Sequence, residues 1–282
     1  MAKIICLANN KGGVGKTTTA MNLAAYLAAQ GKRVLLVDLD PQANATSGLG
    51  LRPAEITPHV YHVITGEVEP HAAVRPTSIF GAEILPGAPD LAGATVELVN
   101  AENREFRLAA ALDKLRDRYD YILVDPPPSV GLLAVNGIVA ADTVLIPVQA
   151  EYYALEGLGN LLKTIELINE NLERKVEVMG VVLTMYDKRN KLHQEVAKEV
   201  RRNFPGRVFD TVIPQNVRLA EAPSFGATIL QFDPDSHGAR AYRQLAEEVR
   251  TIVEGNAAKE QSSRWSFKRA VSTPLNNLFK LF

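Results

Sequence analysis

The 282-residue chain has one cysteine, Cys6, one tryptophan, and no apolar run approaching the ~18 residues that would span a bilayer. A single cysteine excludes an intrachain disulfide framework and any multi-cysteine metal or cluster site within one chain; Cys6 reads as a small buried strand residue in a reducing compartment. The five histidines, His59, His62, His71, His193 and His237, show no metal-ligand spacing and read as surface or loop residues. An excess of one charge is also missing. Lys and Arg number 31 and Asp and Glu 32, a net of −1, so any nucleic-acid contact has to come from a local patch. The charge is unevenly placed, because residues 257–282 hold Lys259, Arg264, Lys268, Arg269 and Lys280 against Glu260 alone; this end carries +4 and the body −5. No internal repeat is visible, and an opening apolar run that reads as a strand predicts no secretory leader.

What is present is an ordinary globular composition, 46% hydrophobic and 22% charged. Short β-branched runs at 4–8, 34–37, 122–124, 144–148 and 178–183 read as buried strands, with helices between them at 153–171 and 192–203. The alternation predicts an α/β fold: a mainly parallel twisted sheet with helices on both faces and ligands at the carboxyl ends of its strands. Residues 52–90, richer in Pro, Gly and His, read as an irregular insertion. A last amphipathic helix is expected over about 237–254, stopped by Gly255-Asn256, which divides the chain into a body, 1–255, and a basic, aromatic tail, 256–282.

The chemistry is concentrated in Lys11-Gly12-Gly13-Val14-Gly15-Lys16-Thr17-Thr18, between the first strand and the pattern Met21 to Leu27 of a helix. A strand, a glycine-rich turn and a helix N-terminus make a phosphate cradle: backbone N–H groups converge on a polyphosphate, Lys16 adds a charge and Thr17 offers a hydroxyl to Mg²⁺. The generic phosphate-loop pattern has glycine where Asn10 stands, and this loop carries a second lysine, Lys11. Two strands end in carboxylates, Asp38-Leu39-Asp40-Pro41-Gln42 and Asp125-Pro126-Pro127-Pro128-Ser129. Such residues either cap the following turn or, beside a phosphate loop, serve metal and water. With the loop present, Asp125 reads as the metal-side acid, Asp38 as its support and Asp40 as the residue that positions the hydrolytic water.

These three motifs, together with Asn216-Val217-Arg218-Leu219-Ala220-Glu221-Ala222-Pro223-Ser224, resemble the ParA/Soj branch of the deviant Walker A ATPases over roughly residues 2–254. The resemblance implies a single-domain P-loop NTPase that uses ATP and Mg²⁺ and forms an ATP-dependent homodimer, with Lys11 reaching the phosphates bound by the partner chain. It implies that Pro214 and Asn216 contact adenine. It also implies a ParB-like activator protein, non-specific binding to double-stranded DNA, and a cytoplasmic, nucleoid-associated location. The chain departs from the family's common residues at Asn10, Pro126 and Gln215, the last removing a positive charge near the implied DNA face.

Basic residues gather at Lys188, Arg189 and Lys191, at Arg201 and Arg202, and at Arg218. By residue type alone they are a solvated surface. The resemblance, whose DNA contacts fall at Arg189 and Arg218, makes all six a candidate phosphate-binding patch, with Lys188, Arg189 and Arg218 as its DNA-binding residues. The alternative is a MinD-like, membrane-cycling ATPase, for which Leu275, Leu278, Phe279 and Phe282 fall on one helical face of the tail. A nitrogenase-reductase-like electron carrier would need two cluster cysteines per chain, and only Cys6 exists.

Overall fold

The aliphatic runs become the strands of one sheet: β1 (Lys3–Leu7), β2 (Val34–Asp38), β3 (Arg75–Pro76), β4 (Ala82–Leu85), β5 (Tyr121–Asp125), β6 (Thr143–Gln149), β7 (Glu177–Tyr186) and β8 (Val208–Pro214). In this computed structural model, residues 1–129, 131–151 and 154–271 are described, 256–271 by backbone alone. The strand order is β3-β4-β2-β5-β1-β6-β7-β8, and every pairing is parallel except that of the two-residue β3 with β4. Successive residues of a strand point to opposite faces. Ile4, Cys6, Leu35, Val37, Ile122 and Val124 therefore enter one core, and Ile5, Leu7, Val34, Leu36, Tyr121 and Leu123 the other.

The helices, in chain order, are α1 (Lys16–Ala29), α2 (Asn44–Gly48), α3 (Val60–Thr65), α4 (Pro70–Ala73), α5 (Leu91–Glu97), α6 (Arg107–Asp113), α7 (Leu132–Ala140), α8 (Ala154–Asn171), α9 (Lys191–Asn203), α10 (Val217–Glu221), α11 (Ile229–Phe232) and α12 (His237–Val271). Residues of α3 to α9 cover the first face, and those of α1, α2 and α10 to α12 cover the second. The helix-covered parallel sheet expected from the sequence is the fold observed.

Three expectations need correction, and one strand was not anticipated. Residues 52–90 are no insertion, for β4 pairs in parallel with β2 and extends the sheet. Its four residues, Ala-Glu-Ile-Leu, are too few to display a period, and their burial comes from neighbours distant in sequence. β8 was also hidden, because Asp210 interrupts its apolar pattern. The backbone N–H groups of Asp210 and Thr211 and the Thr211 hydroxyl donate to the Glu248 carboxylate, so α12 ties itself to this edge strand. The last helix passes through Gly255 to Val271. One internal glycine costs only about 1 kcal/mol against alanine, and Ala257-Ala258-Lys259-Glu260-Gln261 are strong helix formers. Finally, His59 is buried, its ring edge-on to His62 at 4.3 Å, and burial pulls its imidazole pKa down.

Candidate functional site

The phosphate loop leaves β1 and is anchored to the next two strands. Asn9 Nδ2 donates to the Pro147 carbonyl of β6 at 2.7 Å, its Oδ1 accepts the Lys11 N–H at 2.9 Å, and the Thr184 hydroxyl of β7 donates to the Val14 carbonyl at 2.8 Å. Gly15 has φ +86° immediately before α1 begins, a left-handed conformation that favours glycine, so the residue that opens the helix also fixes the cradle. The first turn of α1 thus presents unsatisfied N–H groups at the end of a helix dipole.

Lys16 is buried, its Nζ 3.3 Å from the Lys11 carbonyl oxygen that accepts from it. Burial lowers its pKa, while the charges of Asp125 and Asp40 oppose that shift. Asp125 stands at the tip of β5 and pairs in register with Asp38 at the tip of β2. Neither carboxylate oxygen of Asp125 has a hydrogen-bond partner, although the residue is 1% exposed. Burial first, and the Asp38 charge second, push its pKa up to about 8, against the pull of Thr17 and Lys16. An orphaned carboxylate beside a lysine and a threonine hydroxyl is a poor resting arrangement for a protein interior and a good one for a divalent cation held with a polyphosphate.

Asp38 differs. One of its oxygens accepts both the N–H and the hydroxyl of Thr46, at 2.8 and 2.7 Å, and the other accepts the Asp40 N–H at 3.3 Å. It is committed to α2. Asp40, 8% exposed, keeps one oxygen on the Gln42 N–H at 2.9 Å and lines the phosphate-side cavity with Gly12, Gly13, Gly15, Lys16, Thr17 and Thr18. A second, apolar cavity of about 330 Å³ adjoins it, the two sharing Gly15, Thr18 and Met185. Pro214 and Asn216 line this slot, with Thr184, Ile213, Leu219 and Tyr242. A flat heteroaromatic base beside a phosphate cradle fits such a slot.

Lys11 does not line the phosphate cavity. Its Nζ lies 2.5 Å from Glu151 Oε2, and Gln149 Nε2 donates to the other oxygen of Glu151 at 2.6 Å. Sequence reasoning missed Glu151, and also Thr184, Met185 and Tyr242; Thr184 and Met185 end an apolar strand and Tyr242 lies on an amphipathic helix, where nothing marks them as ligand-facing.

The basic residues divide. Tyr186 and Pro214 pair at the carboxyl ends of β7 and β8, so the turn holding Lys188 and Arg189 and the start of α10 with Arg218 emerge from the same edge as the nucleotide cavity. Arg201 and Arg202 stand at the far end of the 13-residue α9, about 15 Å from its start at 1.5 Å per residue, and do not join them. Arg189 is bonded to both oxygens of Asp187, which holds that carboxyl down at about 2. Arg218 is paired with Glu221 and Asp233 and packs over the Phe232 ring.

Residues 2–178 match the family model described as AAA domain. The chain is 55% identical over 251 residues to the chromosome-partitioning ATPase Soj of Thermus thermophilus, covering 89% of this chain and 96% of that protein. It is 50% identical over 249 residues to the sporulation initiation inhibitor protein Soj of Bacillus subtilis, covering 88% and 98%. The chain belongs to the Soj/ParA family of chromosome-partitioning ATPases. Among solved structures, the Mycobacterium smegmatis cobyrinic acid a,c-diamide synthase with bound ADP and magnesium superposes with a TM-score of 0.81 at 36% identity, covering 91% of this chain and 97% of that one. A Soj/ParA chain thus shares its P-loop fold with a protein named for different chemistry, so its function has to be argued from its site.

Proposed function

We propose that this chain is the nucleotide-driven switch of a DNA-segregation system. As a Soj/ParA family member it is an ATPase, and ATP and Mg²⁺ are its cofactors; the ADP and magnesium bound by the similar mycobacterial structure support that assignment. The loop N–H groups and Lys16 bind the phosphates, Pro214 and Asn216 border the base, and Asp40 orients the attacking water. Thr17 and Asp125 fit the metal, which supplies charge neutralisation at the phosphates when bound.

The observation that carries the switch is the placement of the two loop lysines. Lys16 is buried beside Asp125, while Lys11 stands outside that cavity on Glu151, available to a facing copy of the chain. ATP then becomes part of a dimer interface, since Lys11 of each chain compensates phosphate charge held by the other. The dimer doubles the patch of Lys188, Arg189 and Arg218 for non-specific DNA, and a ParB-like partner stimulates hydrolysis and release. Lys11→Ala is expected to leave monomeric nucleotide affinity within about twofold while abolishing ATP-driven dimerisation. Sedimentation velocity with ATP and Mg²⁺ checks this, and a normal dimer refutes it. The membrane-cycling alternative rests on Leu275, Leu278, Phe279 and Phe282, which lie outside the described residues.

A further inference from the structure

We propose that Thr46 is a positioning residue for hydrolysis, the pin of a buried buckle that holds the Asp40 turn in place. The turn begins after Asp38 and ends in α2, and Thr46 closes it with the two bonds to Asp38 Oδ2. The same hydroxyl oxygen accepts the Gly87 N–H at 2.9 Å, which brings in the loop after β4 as a third strap. Asp38 and Thr46 are both 0% exposed, so no water competes for these bonds. Gly87 is needed for the approach: a Cβ there would stand 2.9 Å from Asp38 Cγ and 3.0 Å from the Asp38 carbonyl oxygen.

Within the buckled segment Ala43 has φ +50°, a left-handed conformation that a non-glycine residue keeps only when its surroundings impose it. The Ala43 N–H donates to the Asp40 carbonyl oxygen at 2.8 Å, so the strained residue and Asp40 belong to one turn. Opening the buckle would let Ala43 relax and would carry the Asp40 carboxylate off its position at the phosphate-side cavity. Thr46 does not line that cavity, so its influence on hydrolysis passes through Asp40.

This inference rests on the reading of Asp40 as the residue that orients water, and the experiment separates the two. Thr46→Val keeps the shape and removes the hydroxyl; Thr46→Ser keeps the hydroxyl. Steady-state hydrolysis and binding of a fluorescent ATP analogue are measured for both, for Asp40→Asn, and for Asp40→Asn combined with Thr46→Val. Thr46→Val should lose about tenfold or more in kcat with nucleotide affinity within about twofold, Thr46→Ser should restore kcat, and Thr46→Val should cost nothing further in the Asp40→Asn background. Equal losses from Thr46→Val in both backgrounds, or a Thr46→Ser variant as slow as Thr46→Val, overturn the buckle. Normal hydrolysis by Asp40→Asn instead overturns the role of Asp40. If Thr46→Val does not fold, Thr46→Ala, which adds no methyl against the carboxylate, takes its place under the same criteria.

Discussion

Asp125 is the residue whose state depends most on what the site contains. Its carboxyl titrates near 3.8 when unperturbed and at about 8 when folded, so the native chain holds this proton more tightly than the unfolded one. The contribution of Asp125 to the stability of the unliganded chain is therefore fully present at the acid end of that window and is lost as pH rises from about 4 through about 8. Asp38, raised to about 6 by burial, acts in the same direction. A cation prefers the ionised carboxylate, so binding of the Mg²⁺–nucleotide complex near neutral pH should release a proton and tighten as pH approaches 8. Calorimetry in buffers of different ionisation enthalpy measures the release. Asp125→Asn should abolish it, and a buffer-independent heat for the native chain would count against Asp125 as the metal-side acid. At this scale the loop was legible in the sequence, because Gly12 to Thr18 act through type and spacing. Glu151 was not legible, since its only signal is a lysine 140 positions away that folding brings beside it.

Strands and helices divide along the same line. β1, β2, β5 and β6 were readable because central parallel strands are apolar on both faces and leave unbroken runs. β4 and β8 gain their burial from β2 and α12, information that is not local. The element on which the proposed DNA contact depends is the paired tip of β7 and β8, which brings the Arg189 turn and α10 to one edge of the sheet. Arg189→Ala and Arg218→Ala should each weaken binding to all sequences alike and reduce the slope of log affinity against log salt by about one for every phosphate no longer neutralised. Titrations of fluorescent DNA in the ATP state at several salt concentrations measure both. Arg201→Ala, at the far end of α9, should leave the slope unchanged; a patch that includes it would have to bind across a different face.

At the scale of the whole molecule, the Soj relative from Bacillus subtilis aligns over 98% of its own length while covering 88% of this chain. α12 is held to the body by residues up to Glu254, with Tyr242 bonded to Thr19 of α1 at 3.1 Å, Glu248 bonded to β8, Ile252 and Val253 packed on the second core and Glu254 paired with Lys32 at 2.9 Å. Deleting residues 257–282 is therefore expected to leave ATPase activity and DNA co-sedimentation within about twofold of the full chain. Liposome co-sedimentation of both forms with ATP provides the contrast: binding by the full chain that the deletion removes would favour the membrane-cycling reading.

Arg189 and Arg218 already have anionic partners, Asp187 for the first and Glu221 and Asp233 for the second. On the DNA reading, a phosphate entering the patch exchanges one counter-charge for another, and carboxylates released nearby repel the strand that displaced them. Each such bond is consequently weak and quick to reverse, and the two copies in a dimer supply most of the hold. On the same reading, such a patch lets the dimer creep along DNA and leave it as soon as the dimer opens.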